Sequence, residues 1–146
     1  MFKSKFPVLL LLLASLVSCQ SQVSLHVSGN QNLNQDIQRR VPEPVSVQVY
    51  QLKSDQKFKE ANFFQIVDNP EKTLGADYLP PVFSFMLSPN QKQDVSVKLN
   101  SDAKYFGIVA AFHAIDNAKW KAIIPLEGNS KKNITLILKD RNLIVQ

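Results

Sequence analysis

Val23-Ser24-Leu25-His26-Val27-Ser28 alternates apolar and polar side chains at every step, the period of two of a β-strand with one face buried and one wet. The same alternation returns at Val45-Val47-Val49, Phe83-Phe85-Leu87, Val95-Val97-Leu99 and Ile134-Leu136-Leu138. Residues 105–115 are almost wholly apolar, which suits a central strand covered on both faces. Residues 120–126 and 142–145 bring the total to about eight strands. Ser88-Pro89-Asn90, Asp116-Asn117, Gly128-Asn129-Ser130 and Asp140-Arg141-Asn142 supply turn chemistry between them. Short strands at this spacing, without crossover helices, predict an all-β, antiparallel β-sandwich.

Two stretches interrupt the pattern. Residues 54–79 favour helix: Ser54 or Asp55 can cap a helix carrying Phe58, Ala61 and Phe64 on one side, Asn69-Pro70 can start another, and Gly75 can end it. Phe58, Phe63, Phe64, Ile66 and Val67 are more apolar surface than a small excursion can hide alone. They are expected to plug a flank of the sandwich, with an exposed aromatic docking patch as the alternative. Residues 29–44 form a connection too long for a plain hairpin, with Leu33 and Ile37 as isolated apolar residues and Arg39-Arg40 among amides. Arginine beside a few apolar anchors is the composition of a protein-binding loop, and a merely solvated loop is the alternative. Removal of residues 32–40 is expected to spare the fold, because no alternating strand residue lies among them.

The first residues read as a secretory signal rather than as part of the domain. Lys3 and Lys5 precede a short apolar run through Val17, and Leu9 to Leu13 leave no polar face. Leu16-Val17-Ser18-Cys19 resembles a bacterial lipobox, and Cys19 is the sole cysteine. The resemblance implies cleavage between Ser18 and Cys19 and a covalent lipid on Cys19, so the domain plan is signal 1–18, acylated Cys and short linker 19–22, and sandwich 23–146. Two or three acyl chains anchor firmly where one does not. Gln20 after the cysteine, in place of Asp, resembles the pattern for export to the outer membrane.

Composition narrows the function further. The 146 residues carry 17 Lys and Arg against 12 Asp and Glu, and a single Cys with 2 His excludes a disulfide framework and the usual structural zinc site. Without Lys3 and Lys5 the formal charge falls from +5 to 15 − 12 = +3, and the basic residues are scattered, which argues against nucleic-acid binding. A catalyst is not expected. His113 lies three residues before Asp116 and His26 occupies a polar strand position, but no nucleophile elbow, HExxH or Gly-rich phosphate loop accompanies them. No metal or other cofactor is expected.

The lipobox, the stretch Pro44-Val45-Ser46-Val47-Gln48-Val49-Tyr50-Gln51-Leu52-Lys53 with Phe58 and Phe63-Phe64, and Thr73-Leu74-Gly75-Ala76-Asp77 together resemble the TssJ (SciN, VasD, Lip) lipoprotein family of the bacterial type VI secretion system. Tyr105-Phe106-Gly107-Ile108-Val109-Ala110-Ala111-Phe112 and Trp120-Lys121-Ala122 extend the resemblance over nearly all of the mature chain. It implies a transthyretin-like sandwich on the periplasmic face of the outer membrane. The implied partner is the C-terminal periplasmic region of the inner-membrane protein TssM, bound by the loop joining the first two strands, with TssL joined indirectly. Leu33, Asn34, Asp36, Ile37, Arg39 and Arg40 are then the partner-binding candidates. Asn34 and Asp36 match the family's Asn-Pro-Asp pattern, with Gln35 in place of the proline. The alternative function is a generic periplasmic lipoprotein sandwich that binds a small ligand or another envelope component, which a deep apolar pocket would favour.

Overall fold

The computed structural model describes residues 20–126 and 133–146. The signal, Cys19 and the turn expected at 128–130 lie outside the described residues. Eight strands form: β1 (Gln22–Gly29), β2 (Val45–Leu52), β3 (Tyr78–Leu87), β4 (Lys92–Lys98), β5 (Tyr105–Ala111), β6 (Lys121–Pro125), β7 (Asn133–Lys139) and β8 (Asn142–Val145). They make two four-stranded sheets in the orders β4-β1-β7-β8 and β3-β2-β5-β6. One pairing departs from the expected antiparallel plan, since β1 runs antiparallel to β4 but parallel to β7. Alternation fixes which side chains face inward and is silent on the direction of a strand's neighbour.

The inward faces carry the alternating residues. Val23, Leu25 and Val27 meet Val45, Val47, Val49, Phe106, Ile108 and Leu136 in one buried cluster. The opposite parity of β2 and β5 places Tyr50, Leu52 and Val109 on the outer face of their sheet, where a second buried cluster includes Phe58, Ala61, Ile66 and Leu74. The near-continuous apolar run of β5 is thus that of a strand covered on both sides, by the opposite sheet and by the insertion.

The insertion contains three short helices, α1 (Gln56–Glu60), α2 (Phe63–Asp68) and α3 (Pro70–Leu74), before a 3-10 turn at Gly75–Asp77. The single helix expected to carry Phe58, Ala61 and Phe64 on one side is broken by Asn62. This residue caps α2 in a reciprocal pair with Gln65. The break rotates Phe64 outward to 62% exposure while Phe58 is fully buried. Phe58 seats against Gly107, where a Cβ would stand 2.6 Å from its ring carbons. Burying such a ring contributes about 2 kcal/mol. Pro80 and Pro81 fall where the pairing of β3 with β2 shifts, on an edge strand that tolerates their missing N–H groups.

Candidate functional site

The loop between β1 and β2, residues 30–44, is tied down at its base. Leu33 is fully buried in the sandwich core, and the Glu43 N–H donates to its carbonyl at 3.1 Å. Asn34 is 2% exposed. Its Nδ2 donates to the Pro44 carbonyl at 3.1 Å, its Oδ1 accepts from the His113 N–H at 2.8 Å, and its own N–H donates to the Asp140 carbonyl at 2.7 Å. Its φ of +51° is in the left-handed region, which Asn tolerates better than most residues.

Beyond Asn34 the chain closes into a tight tip. Asp36 Oδ1 accepts from the N–H groups of Gln38 and Arg39, both at 2.8 Å. The Asp36 N–H donates to the Val41 carbonyl at 3.0 Å, and the Arg40 N–H donates to the Asp36 carbonyl at 2.8 Å. The backbone N–H of Arg39, then that of Gln38, and less strongly the Arg39 guanidinium hold the Asp36 carboxyl below its ordinary range. Arg39 Nη2 also reaches Glu43 Oε1 at 3.1 Å, and the other Glu43 oxygen pairs with His113 Nε2. Arg40 is held at φ +54°, with its carbonyl accepting from Gln35 Nε2.

These bonds sort the predicted site residues. Ile37 is 60% exposed and Arg39 and Arg40 are also exposed at the tip, next to Val41. Leu33 and Asn34, expected at the partner surface, instead point into the fold, so their side chains organise the loop and are not open to a partner. Loss of residues 32–40 would remove a core leucine, contrary to the expectation that the fold would be spared. Glu43, His113 and Asp140 belong to the same end and were not legible, because their partners lie up to 110 positions away in sequence. Lys121 was also missed as a structural residue. Its Nζ donates to the carbonyls of Phe58 (3.1 Å), Lys59 (2.6 Å) and Ala61 (2.9 Å), closing the end of α1, and burial pushes its ammonium below the usual lysine value.

The histidines do not converge. His26 pairs with Asp94 across the β1/β4 ladder at 2.6 Å, and that hydrogen bond followed by the charge of Asp94 raises its pKa. His113 is engaged elsewhere, its Nε2 pairing with Glu43. Among the described residues no three His, Cys, Asp or Glu side chains are grouped to hold a metal, and no helix is long and apolar enough to cross a membrane.

A model of the type VI secretion lipoprotein family, described by the names VasD, EvfM and TssJ, matches residues 21–141. The chain belongs to that family. No curated protein matches it by sequence. Among solved structures it is similar to the type VI lipoprotein TssJ1 of Pseudomonas aeruginosa, at 24% identity and TM-score 0.80 over 87% of this chain and 95% of that one. It is also similar to Serratia marcescens Lip, a membrane-bound component of the type VI secretion system, at 22% identity and TM-score 0.79 over 86% and 97%. A chain in a structure of the TssM C-terminal domain (869–1107) from EAEC matches at 19% identity and TM-score 0.70, over 86% and 97%. These structural likenesses agree with the two-sheet architecture.

Proposed function

We propose that this type VI lipoprotein is a structural component of the membrane complex, anchored to the outer membrane through a lipid on Cys19. Its β1–β2 loop docks the periplasmic C-terminal region of a TssM-like inner-membrane protein, and through it a TssL-like protein. The observation that carries this reading is the polarity of β1. Ser21, whose carbonyl accepts from the Leu99 N–H, lies at one end, and the loop leaves the other. The eight residues of β1 separate the two by about 26 Å. A lipid on Cys19, with only Gln20 and Ser21 between it and β1, would therefore hold one end against the membrane and point the loop into the periplasm.

The pairing with TssM has support from coverage. The chain matched in the TssM structure is 97% covered by 86% of these 146 residues, which makes it far shorter than a segment spanning 869–1107. A matched chain shorter than the named segment supports the reading that a domain of this fold pairs with TssM. The reading assigns no catalytic step, since attachment requires an anchor and a docking surface only. The core is filled by side chains such as Leu25, Phe106, Ile108 and Leu136, which favours docking over the generic ligand-binding alternative.

The test is a pull-down from membranes with the full chain and its Cys19→Ser and Ile37→Asp variants. The wild type should retain the TssM-like protein. Cys19→Ser should leave the membrane fraction while folded, and Ile37→Asp should stay membrane-bound but lose the partner. Palmitate labelling that persists in Cys19→Ser would refute the anchor, and full partner recovery with Ile37→Asp would refute the loop.

A further inference from the structure

We infer that the groove between the loop tip and the β7–β8 turn is the second half of the docking site, and that it takes an acidic segment of the partner. A carboxylate would sit between Arg40 and Arg141, with an apolar neighbour on Ile37. This rests on the docking reading above and adds to it a second structural element and a partner chemistry.

The groove is a depression of about 570 Å³ lined by Asn32, Gln35, Asp36, Ile37, Arg40, Asp140 and Arg141. Its charges are not equally available. Asp36 is saturated by two N–H groups and by Arg39, whose guanidinium is spent on Asp36 and Glu43. Asp140 Oδ1 takes Asn30 Nδ2 at 2.9 Å. Arg40 and Arg141, by contrast, make no side-chain hydrogen bond or ion pair among the described residues. Arg40 and Arg141 thus both line the groove with no side-chain acceptor among the described residues, beside a 60% exposed isoleucine. Guanidinium forks suit carboxylates, and desolvation beside an apolar contact strengthens the pairing.

Both arginines are set by backbone constraints that survive side-chain replacement. Arg40 is held at positive φ by its own N–H and carbonyl bonds. The Arg141 carbonyl accepts from the Lys119 N–H at 3.0 Å. The two segments are bonded to one another through the Asn34 N–H and the Asp140 carbonyl, so the groove has a fixed width. The Asp140 carboxylate beside Arg141 disfavours a second acidic residue on that side, so the occupant is one carboxylate flanked by apolar chain and not a polyacidic run.

The experiment uses the full chain purified from membranes in detergent and the periplasmic C-terminal domain of the cognate TssM-like protein. Affinity is measured at about 50 mM and about 500 mM salt for the wild type and for Arg40→Glu, Arg141→Glu and Ile37→Asp. Each arginine reversal should weaken binding at least about tenfold at low salt, and the loss should shrink at high salt as the charge contribution is screened. Unchanged affinity and unchanged salt dependence in Arg40→Glu and Arg141→Glu would overturn the inference. If Ile37→Asp alone weakens binding, the loop reading stands and only the arginine groove falls. If no variant weakens it, both fall. Thermal melts of each variant separate lost binding from lost folding.

Discussion

Replacing Asn34 tests whether the loop is built from its base. Asn34→Ala removes an acceptor from the His113 N–H and a donor from the Pro44 carbonyl, at a residue 2% exposed. Each such bond contributes about 1 kcal/mol net, and a buried group left unpaired costs about 1–3 kcal/mol. With water reaching one of the two orphans, the loss is about 3 kcal/mol, a large part of a total stability of about 5–15 kcal/mol. Asn34→Gly loses the same bonds but adopts φ +51° without a Cβ penalty, which returns about 1 kcal/mol. The expected order of stability is therefore wild type, then Asn34→Gly, then Asn34→Ala. Urea unfolding of the three proteins measures it, with a constant denaturant slope confirming that the unfolded state is unchanged. Asn34→Ala within about 0.5 kcal/mol of wild type would mean that water replaces both bonds, a change at the level of an ordinary surface substitution. Asn34→Gly below Asn34→Ala would mean that the left-handed backbone carries no strain. Either result would remove the physical basis for a loop preordered for docking.

Gly107→Ala should destabilise the domain by about 1–3 kcal/mol, because the added methyl meets the buried Phe58 ring, and a Phe58→Leu background should shrink that cost in a double-mutant cycle. Lys121→Met keeps the aliphatic stem but strips three carbonyls at the end of α1 of their donor, with an expected loss of about 2 kcal/mol in thermal or chemical unfolding. For His26 the sign follows from its raised pKa: its contribution is complete below the unfolded value of about 6.5 and fades as pH rises through the folded value. An NMR titration should show the His26 midpoint falling in Asp94→Asn, and an unmoved midpoint would refute the pairing.

The strands were legible because alternation is a local property. Val23, Leu25 and Val27 announce a buried face whatever they pack against, and the unbroken apolar run of β5 announces two buried faces. The helical insertion was legible as a plug but not in its breaks. Asn62 could be read as an interior helix residue, and only its reciprocal bonds with Gln65 make it the start of a new helix that turns Phe64 out. The parallel pairing of β1 with β7 left no trace in either strand's own pattern.

The site was half legible, and the boundary follows the reach of its bonds. The Asp36 carboxylate organises residues within three positions of itself, so a short polar residue ahead of Arg39-Arg40 announces the exposed tip. Leu33 and Asn34 share that tip's composition but answer to Pro44, His113 and Asp140, from 10 to 110 positions removed when Asn30 is included. An isolated leucine in a polar loop looks the same whether it waits for a partner or sits in its own core. The difference here is made by Gly29, where a Cβ would stand 2.9 Å from Leu33, so the missing side chain leaves room for the leucine. Core leucine and buried asparagine together fix the base of the loop, which leaves Ile37, Arg39 and Arg40 as exposed groups on a rigid mount. A mount of that kind limits the ordering cost of docking, since side chains and not backbone remain to be fixed when a partner arrives. On the docking reading proposed above, affinity for the TssM-like domain should therefore fall with substitutions at the loop's buried base as well as at its exposed tip, through loss of order in the first case and loss of contact in the second.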